Sequence, residues 1–179
     1  DVITFSGNGE PTLHPDFAGI VDDTIALRDK YFPEVKISVL TNSTRIADKA
    51  VAEALCRVDN NILKLDSAFE ETARLLDRPA PGYTVAKTID GLRQFAGTGI
   101  IQTMFTRGEH NGVAIDNTTD TEVDALIEAY RAISPREIMI YTIDRPTPET
   151  TLRRITLPEL EAIAARIRRA TGLPVQVSA

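Results

Sequence analysis

The feature that most constrains the fold is a regular alternation of short apolar runs with longer stretches of helical period. Strand candidates fall at 2–5, 36–40, 62–65, 100–105 and 138–141, with a short last one at 175–177. Phe17, Ile20, Val21, Leu27 and Tyr31 mark a first amphipathic helix, and Val51, Leu55 and Val58 a second. Val85, Ile89, Leu92 and Phe95 mark another, and Val123, Leu126, Ile127 and Tyr130 recur at i, i+3, i+4 and i+7. Leu160, Ile163, Ala164 and Ile167 repeat that pattern. Strand–helix alternation with links this long predicts right-handed βαβ units and a parallel sheet. Three helix starts carry a capping-box pattern: Ser67 with Glu70, Thr119 with Glu122, and Thr156 with Glu159. No Gly/Ser-rich linker or low-complexity tract interrupts the pattern, so residues 1–179 are expected to form one domain.

The strands add a second constraint. A parallel strand buried on both faces is apolar throughout. Here Lys64 and Asp66 share one face of their strand, Ser38 and Asn42 share one of theirs, Thr4 and Ser6 do the same, and Gln102 interrupts 100–105. Polar side chains on one face of several parallel strands predict a lumen that holds a ligand, with solvent wetting of the strand ends as the plainer alternative.

Charge and cysteine content narrow the function. A net charge of −6 disfavours a general nucleic-acid binder, although a local patch leaves an RNA substrate open. No apolar run approaches the length of a membrane span. The single cysteine, Cys56, permits no intrachain disulfide and points to a reducing cytoplasm. One thiolate cannot hold an iron–sulfur cluster. A chain that opens directly on a strand, with no leader, reads as a fragment of a longer protein.

The chemistry-bearing stretch is Ser6-Gly7-Asn8-Gly9-Glu10-Pro11-Thr12-Leu13, between the first strand and the first helix. Gly7 and Gly9 would allow backbone to approach a ligand. Glu10 would stand at the carboxyl end of a parallel strand, where barrel enzymes place working groups. A phosphate loop is excluded, because Glu10 would repel phosphate and no Gly-Lys-Ser/Thr follows.

That stretch resembles the Gly-Gly-Glu-Pro motif of radical S-adenosylmethionine enzymes. Thr41-Asn42-Ser43 resembles the family's Thr-Asn-Gly at the next strand tip, and Lys64-Leu65-Asp66 and Met139-Ile140-Tyr141-Thr142 match later ones in order. Gln102-Thr103-Met104-Phe105, Asp116-Asn117-Thr118-Thr119 and the stretch 139–148 are similar to bacterial Fe–S oxidoreductases related to wyosine synthases, which rebuild a tRNA guanine. The resemblance implies an α/β fold, a partial, open TIM-like (βα)6 barrel of parallel strands lacking its first βα unit. It also implies an enzyme that reductively cleaves S-adenosylmethionine to a 5′-deoxyadenosyl radical, with flavodoxin or ferredoxin as electron donor. Gly7, Gly9, Glu10, Pro11, Thr41, Asn42, Lys64, Asp66, Gln102 and Tyr141 would bind the cosubstrate. Glu10 would position the methionine ammonium, and Asn42 and Asp66 would hold methionine or ribose. Lys64 and Gln102 would meet its carboxylate or the substrate, and residues 139–142 the adenine. The family's Cys-x3-Cys-x2-Cys loop is absent, so the [4Fe–4S] cluster belongs to the longer protein and this chain alone is expected to be inactive, with no metal ligand or catalytic residue of its own.

Two long loops, 107–117 and 143–155, are expected to handle substrate, with Arg107, Asp144 and Arg145 as the residues. Simpler roles suit the rest: Cys56 a buried small hydrophobe, His14 a helix-entry residue, His110 a solvated loop residue. Two competing functions remain. One is a Schiff-base lyase or aldolase using Lys64 with Asp66 or Glu10; the other is a non-catalytic binding domain.

Overall fold

The computed structural model describes residues 1–6, 9–144 and 149–179. Six parallel strands form one sheet, in the order β1 (Val2–Phe5), β2 (Lys36–Thr41), β3 (Asn60–Lys64), β4 (Ile100–Phe105), β7 (Glu137–Thr142) and β8 (Val175–Ser178). The intervening helices are α1 (Phe17–Tyr31), α2 (Lys49–Arg57), α3 (Glu70–Asp77), α4 (Val85–Leu92), α5 (Asp120–Ile133) and α6 (Leu157–Thr171). Each strand is added beside its predecessor, so every crossover runs in one direction and the helices collect on one side. Among the described residues β1 pairs only with β2 and β8 only with β7. The sheet is an open arc, as the sequence predicts.

Registration separates its two faces. Ile37, Val39, Leu63, Ile101, Ile138 and Ile140 point to the helix layer and are buried beneath Val21, Leu55, Leu126, Tyr130, Leu160 and Ile167. Each such side chain contributes roughly 1.5–3 kcal/mol of burial. The opposite face carries Ser38, Asn60, Lys64, Gln102, Met139 and Gln176, in register across the strands. Of the polar residues read from the sequence, Thr4, Ser38, Lys64 and Gln102 thus share the face without a helix layer. Asn60 Nδ2 donates to Ser38 Oγ at 3.0 Å there.

The loop expected at 107–117 is instead an antiparallel hairpin, β5 (Arg107–His110) and β6 (Val113–Asp116). Its two-residue turn is Asn111-Gly112, both with positive φ, 51° and 77°. Asn-Gly is the residue pair that such a turn favours. The hairpin is extended by 151–153: Arg153 N donates to Arg107 O at 2.7 Å. Gly108 is required at that seam, because its φ is +152° and a Cβ would lie 2.4 Å from Thr151 O.

The capping patterns resolve differently from one another. Thr156 and Glu159 form the full reciprocal box. Thr119 caps α5, but Glu122 turns inward to accept from Ser67 Oγ (2.7 Å) and Thr72 Oγ1 (2.5 Å). Glu70 leaves Ser67 to bind Val85 N at 2.8 Å. Cys56 is exposed, which corrects the expectation of burial. The buried side of α2 is Val51, Ala52, Ala54 and Leu55, and Cys56 is rotated a further ~100° from Leu55.

Candidate active site at the strand ends

The site is assembled from residues at the carboxyl ends of β1, β2, β3 and β7. Glu10 caps a 3-10 turn, Pro11–Leu13, and Pro11 occupies the turn's first position. Its Oε1 accepts from Thr12 N (3.1 Å), Thr12 Oγ1 (2.6 Å) and Thr41 Oγ1 (2.7 Å), and its Oε2 from Asn42 N (2.6 Å). The carboxylate clasps the β1 loop to the β2 tip, leaving acceptor capacity chiefly at Oε2. Asn42 Oδ1 is turned onto its own loop, accepting from Thr44 N at 3.0 Å and Thr44 Oγ1 at 2.6 Å. Ser43, where the family motif has glycine, adopts φ +64°. A non-glycine residue is strained there, by about 1–3 kcal/mol. Its hydroxyl compensates by donating to Lys64 O at 3.0 Å, and its N–H donates to Thr41 Oγ1 at 3.2 Å. Gly9 has room for a Cβ. Gly7 and Arg145 lie outside the described residues.

Lys64, Asp66 and Asp77 form the charged centre. Lys64 Nζ lies 2.8 Å from Asp66 Oδ2 and 3.0 Å from Asp77 Oδ1. Asp66 is fully buried; its Oδ1 accepts from Met104 N at 2.8 Å, while Oδ2 has the Lys64 ion pair but no hydrogen bond of proper geometry. Burial pushes the Asp66 carboxyl above the ordinary carboxylate range; Lys64 opposes that shift and Asp77 adds to it. For Lys64, burial favours deprotonation, but the charges of Asp66 and Asp77 outweigh it and hold the ammonium. An ammonium clamped by two carboxylates is not a nucleophile, which works against Schiff-base chemistry at Lys64. Tyr141 faces the same charges; burial first, then Asp66, pushes its hydroxyl up to about 12.

Gln102 and Tyr141 share a cleft of about 400 Å³ with Met139, Asp144, Gln176 and Ser178. A larger cleft, about 790 Å³, lies between the hairpin and 150–153. Arg107 lines it, but its guanidinium is committed to Glu159 (3.0 Å) and Thr118 Oγ1 (3.0 Å), tying the hairpin to α6. Asp144 is largely exposed, 3.7 Å from Arg154. Among the described residues Arg107 Nε is left buried without a hydrogen bond, and Asp144 lines the cleft shared by Gln102 and Tyr141. His110 is not simply solvated, since it lies 3.1 Å from Glu149 and 3.2 Å from Arg78, linking the hairpin to the end of α3.

Two contributors were assigned no site role from the sequence. Asp77 stood in no motif. Asn117 is fully buried and binds the tips of β3 and β4, donating to Asp66 O (2.9 Å) and Met104 O (2.7 Å) and accepting from Thr106 N (2.9 Å). The sequence placed Asn117 in the stretch Asp116-Asn117-Thr118-Thr119 and in the loop expected at 107–117, but a buried asparagine carries no periodic signal from which its partners could be read.

The model of the Radical SAM superfamily matches residues 1–130. The chain belongs to the radical SAM superfamily. It is 27% identical to a UPF0026 protein of Synechocystis sp. over 98% of this chain and 70% of that protein. It is 24% identical to the GTPase Obg of Brachyspira hyodysenteriae over 90% of this chain, spanning only 22% of that protein. Among solved structures, a domain of pyruvate-formate lyase-activating enzyme from Bacteroides vulgatus matches with a TM-score of 0.69 at 16% identity, covering 99% of this chain and 98% of that one. Streptococcus suis SuiB bound to S-adenosylmethionine matches at 0.67 and 14%, covering 99% of this chain and 38% of SuiB. These structures share the fold with this radical SAM chain.

The radical SAM family implies S-adenosylmethionine and an iron–sulfur cluster, and the residues fit them unequally. S-adenosylmethionine is met by an uncovered polar face and by a buried Asp66 oxygen still short of a hydrogen bond. The cluster does not fit. Among the described residues no group of three or more His, Cys, Asp or Glu is placed to hold a metal. Cys56 is one thiol near the end of α2, at the edge where β3 begins, opposite the strand tips.

Proposed function

We propose that this chain supplies the S-adenosylmethionine-binding face of a radical SAM oxidoreductase or transferase, and that the cluster's thiolates come from residues other than these. The observation that supports this reading most is the alignment of the Glu10 clasp and the Lys64–Asp66–Asp77 centre along one carboxyl edge, above the open face. Three carboxylates against one ammonium favour a cationic guest, and S-adenosylmethionine carries an ammonium and a sulfonium. Bound there, it would supply a cleavable C5′–S bond.

The chain's own residues bind, orient and exclude water. Glu10 offers Oε2 to the ammonium while pinning the β2 tip. Asp66, itself buried, holds the Lys64 ammonium, whose charge faces a carboxylate, and Tyr141 and Gln102 bound the far side. Leu40, Ile62, Ile100, Met104 and Met139, on the same face by register, form an apolar floor. Such orientation and drying is what a protein adds to cofactor chemistry.

The wider reading carries flavodoxin or ferredoxin as electron donor and the cytoplasm as setting. No helix among the described residues is long and apolar enough to cross a membrane. It also carries kinship with the wyosine-synthase-related Fe–S oxidoreductases, and RNA is the less favoured substrate at this net charge. Titrating S-adenosylhomocysteine into the chain by calorimetry tests the proposal. Weak saturable binding, reduced by Glu10→Gln and by Asp66→Asn, is expected. No saturable binding, or binding indifferent to both substitutions, overturns it.

A further inference from the structure

We infer that Asn117 is a positioning residue for the proposed S-adenosylmethionine site, holding the buried Asp66 carboxylate against Lys64 at the carboxyl edge by locking the parted tips of β3 and β4. The inference rests on that reading of the site and deepens it.

The backbone makes the lock necessary. Ladder pairing between β3 and β4 ends at Lys64 with Gln102, followed by a last bond from Leu65 N to Gln102 O at 3.0 Å. Beyond it the strands separate, and their buried peptide groups need other partners. Thr103 Oγ1 takes Leu65 O at 2.6 Å. Asn117 Nδ2 takes both Asp66 O and Met104 O, and Asn117 Oδ1 takes Thr106 N. The remaining donor, Met104 N, goes to Asp66 Oδ1.

A single amide therefore fixes the backbone at both ends of the Asp66–Met104 contact. With Oδ1 committed, the second oxygen has one orientation left, beside Lys64 Nζ at 2.8 Å. Asn117 uses all three of its side-chain bonds in this way and has no exposed surface. Nearby side chains repeat the commitment. Asp116 Oδ1 accepts from Thr118 N (2.8 Å) and Thr118 Oγ1 (2.6 Å), and Arg107 reaches Thr118 and Glu159. The base of the hairpin is thus anchored to the same strand tips that carry the site.

The alternative is that Asn117 only replaces missing ladder bonds, with no bearing on Asp66. The two roles differ in what they do to Asp66 itself. The test is carried out on the whole 179-residue chain with Asn117→Ala and the milder Asn117→Ser, each checked for cooperative unfolding. The first readout needs no ligand: the titration of the Asp66 carboxyl followed by carbon-13 NMR, assigned with Asp66→Asn. Opening the lock admits water, so its midpoint is expected to fall towards that of an ordinary carboxylate. The second readout is S-adenosylhomocysteine affinity. Asn117→Ala should lower it about tenfold, the effect of losing one good hydrogen bond to a charged group. In the Asp66→Asn background the same substitution should cost less than about twofold, because the two residues act as one.

An unmoved Asp66 midpoint in a folded Asn117 variant overturns the inference, as do additive losses of affinity. Should neither variant unfold cooperatively, Asn117 is general scaffold and the inference also falls. If the unsubstituted chain binds no S-adenosylhomocysteine, the proposed function fails alone, and the Asp66 titration still decides the role of Asn117.

Discussion

Replacing Asp66 by asparagine and by alanine separates its charge from its role as an acceptor. In the native state the side chain accepts from Met104 N at 2.8 Å and lies 2.8 Å from Lys64 Nζ, with no exposed surface. Alanine strands a buried N–H, which costs about 1–3 kcal/mol. The larger penalty for an orphaned buried ion does not apply, because Lys64 keeps Asp77 at 3.0 Å and is partly exposed. Asparagine keeps an acceptor for Met104 N and removes a carboxylate whose ionised form is disfavoured by burial. Asp66→Asn is therefore expected to lie within about 1 kcal/mol of the natural chain, and Asp66→Ala about 1–3 kcal/mol below it. The pH dependence has a definite sign. A carboxyl whose pKa is raised on folding binds more protons in the native than in the unfolded state. Its stabilising contribution is full in acid and is lost as pH rises through the raised native pKa. An asparagine side chain does not titrate, so the natural chain should lose ground to Asp66→Asn between the ordinary carboxylate range and the higher native midpoint. Urea unfolding of all three chains across that window measures this. Equal losses for the two substitutions, or a gap independent of pH, would refute the reasoning.

Gly108→Ala should destabilise by about 1–3 kcal/mol through its clash with Thr151 O, whereas Gly9→Ala, with open space around it, should change unfolding by under about 0.5 kcal/mol. Ser43→Gly relieves the positive φ but loses the bond to Lys64 O, so the two effects should cancel to within about 1 kcal/mol in thermal unfolding. Ellman's reagent should titrate Cys56 in the native chain, slowly at neutral pH because burial first of all pushes its thiol up; a thiol reactive only after denaturation would contradict its exposed position. Anaerobic reconstitution with iron and sulfide should leave this chain without the visible absorption of an iron–sulfur cluster and without 5′-deoxyadenosine formation; a stable cluster would show that the ligand assignment is mistaken.

Much of the architecture was legible because it rests on period. The six parallel strands and the uncovered polar face follow from side chains alternating along strands and repeating every 3.6 residues on helices, which local sequence records directly. The Glu10 motif was legible for a related reason: a strand, a glycine-bearing turn and an acid are contiguous. The hairpin shows only its turn in the sequence, Asn111-Gly112, because the flanking residues Arg107, Gly108, Glu109 and His110 carry no apolar side chain and hide the strand. What the sequence could not determine were the partners chosen at a distance. Glu122 leaves its capping position for Ser67, 55 residues away, and Glu70 turns to Val85 instead of Ser67. Asp77 joins Lys64 from a neighbouring helix, and Asn117 crosses 51 residues to reach Asp66 O. A carboxylate or amide at the surface of one element can satisfy itself locally or across the fold at similar cost in water. Only when packing removes the water does the geometry of the parted strand tips decide which of those bonds must form.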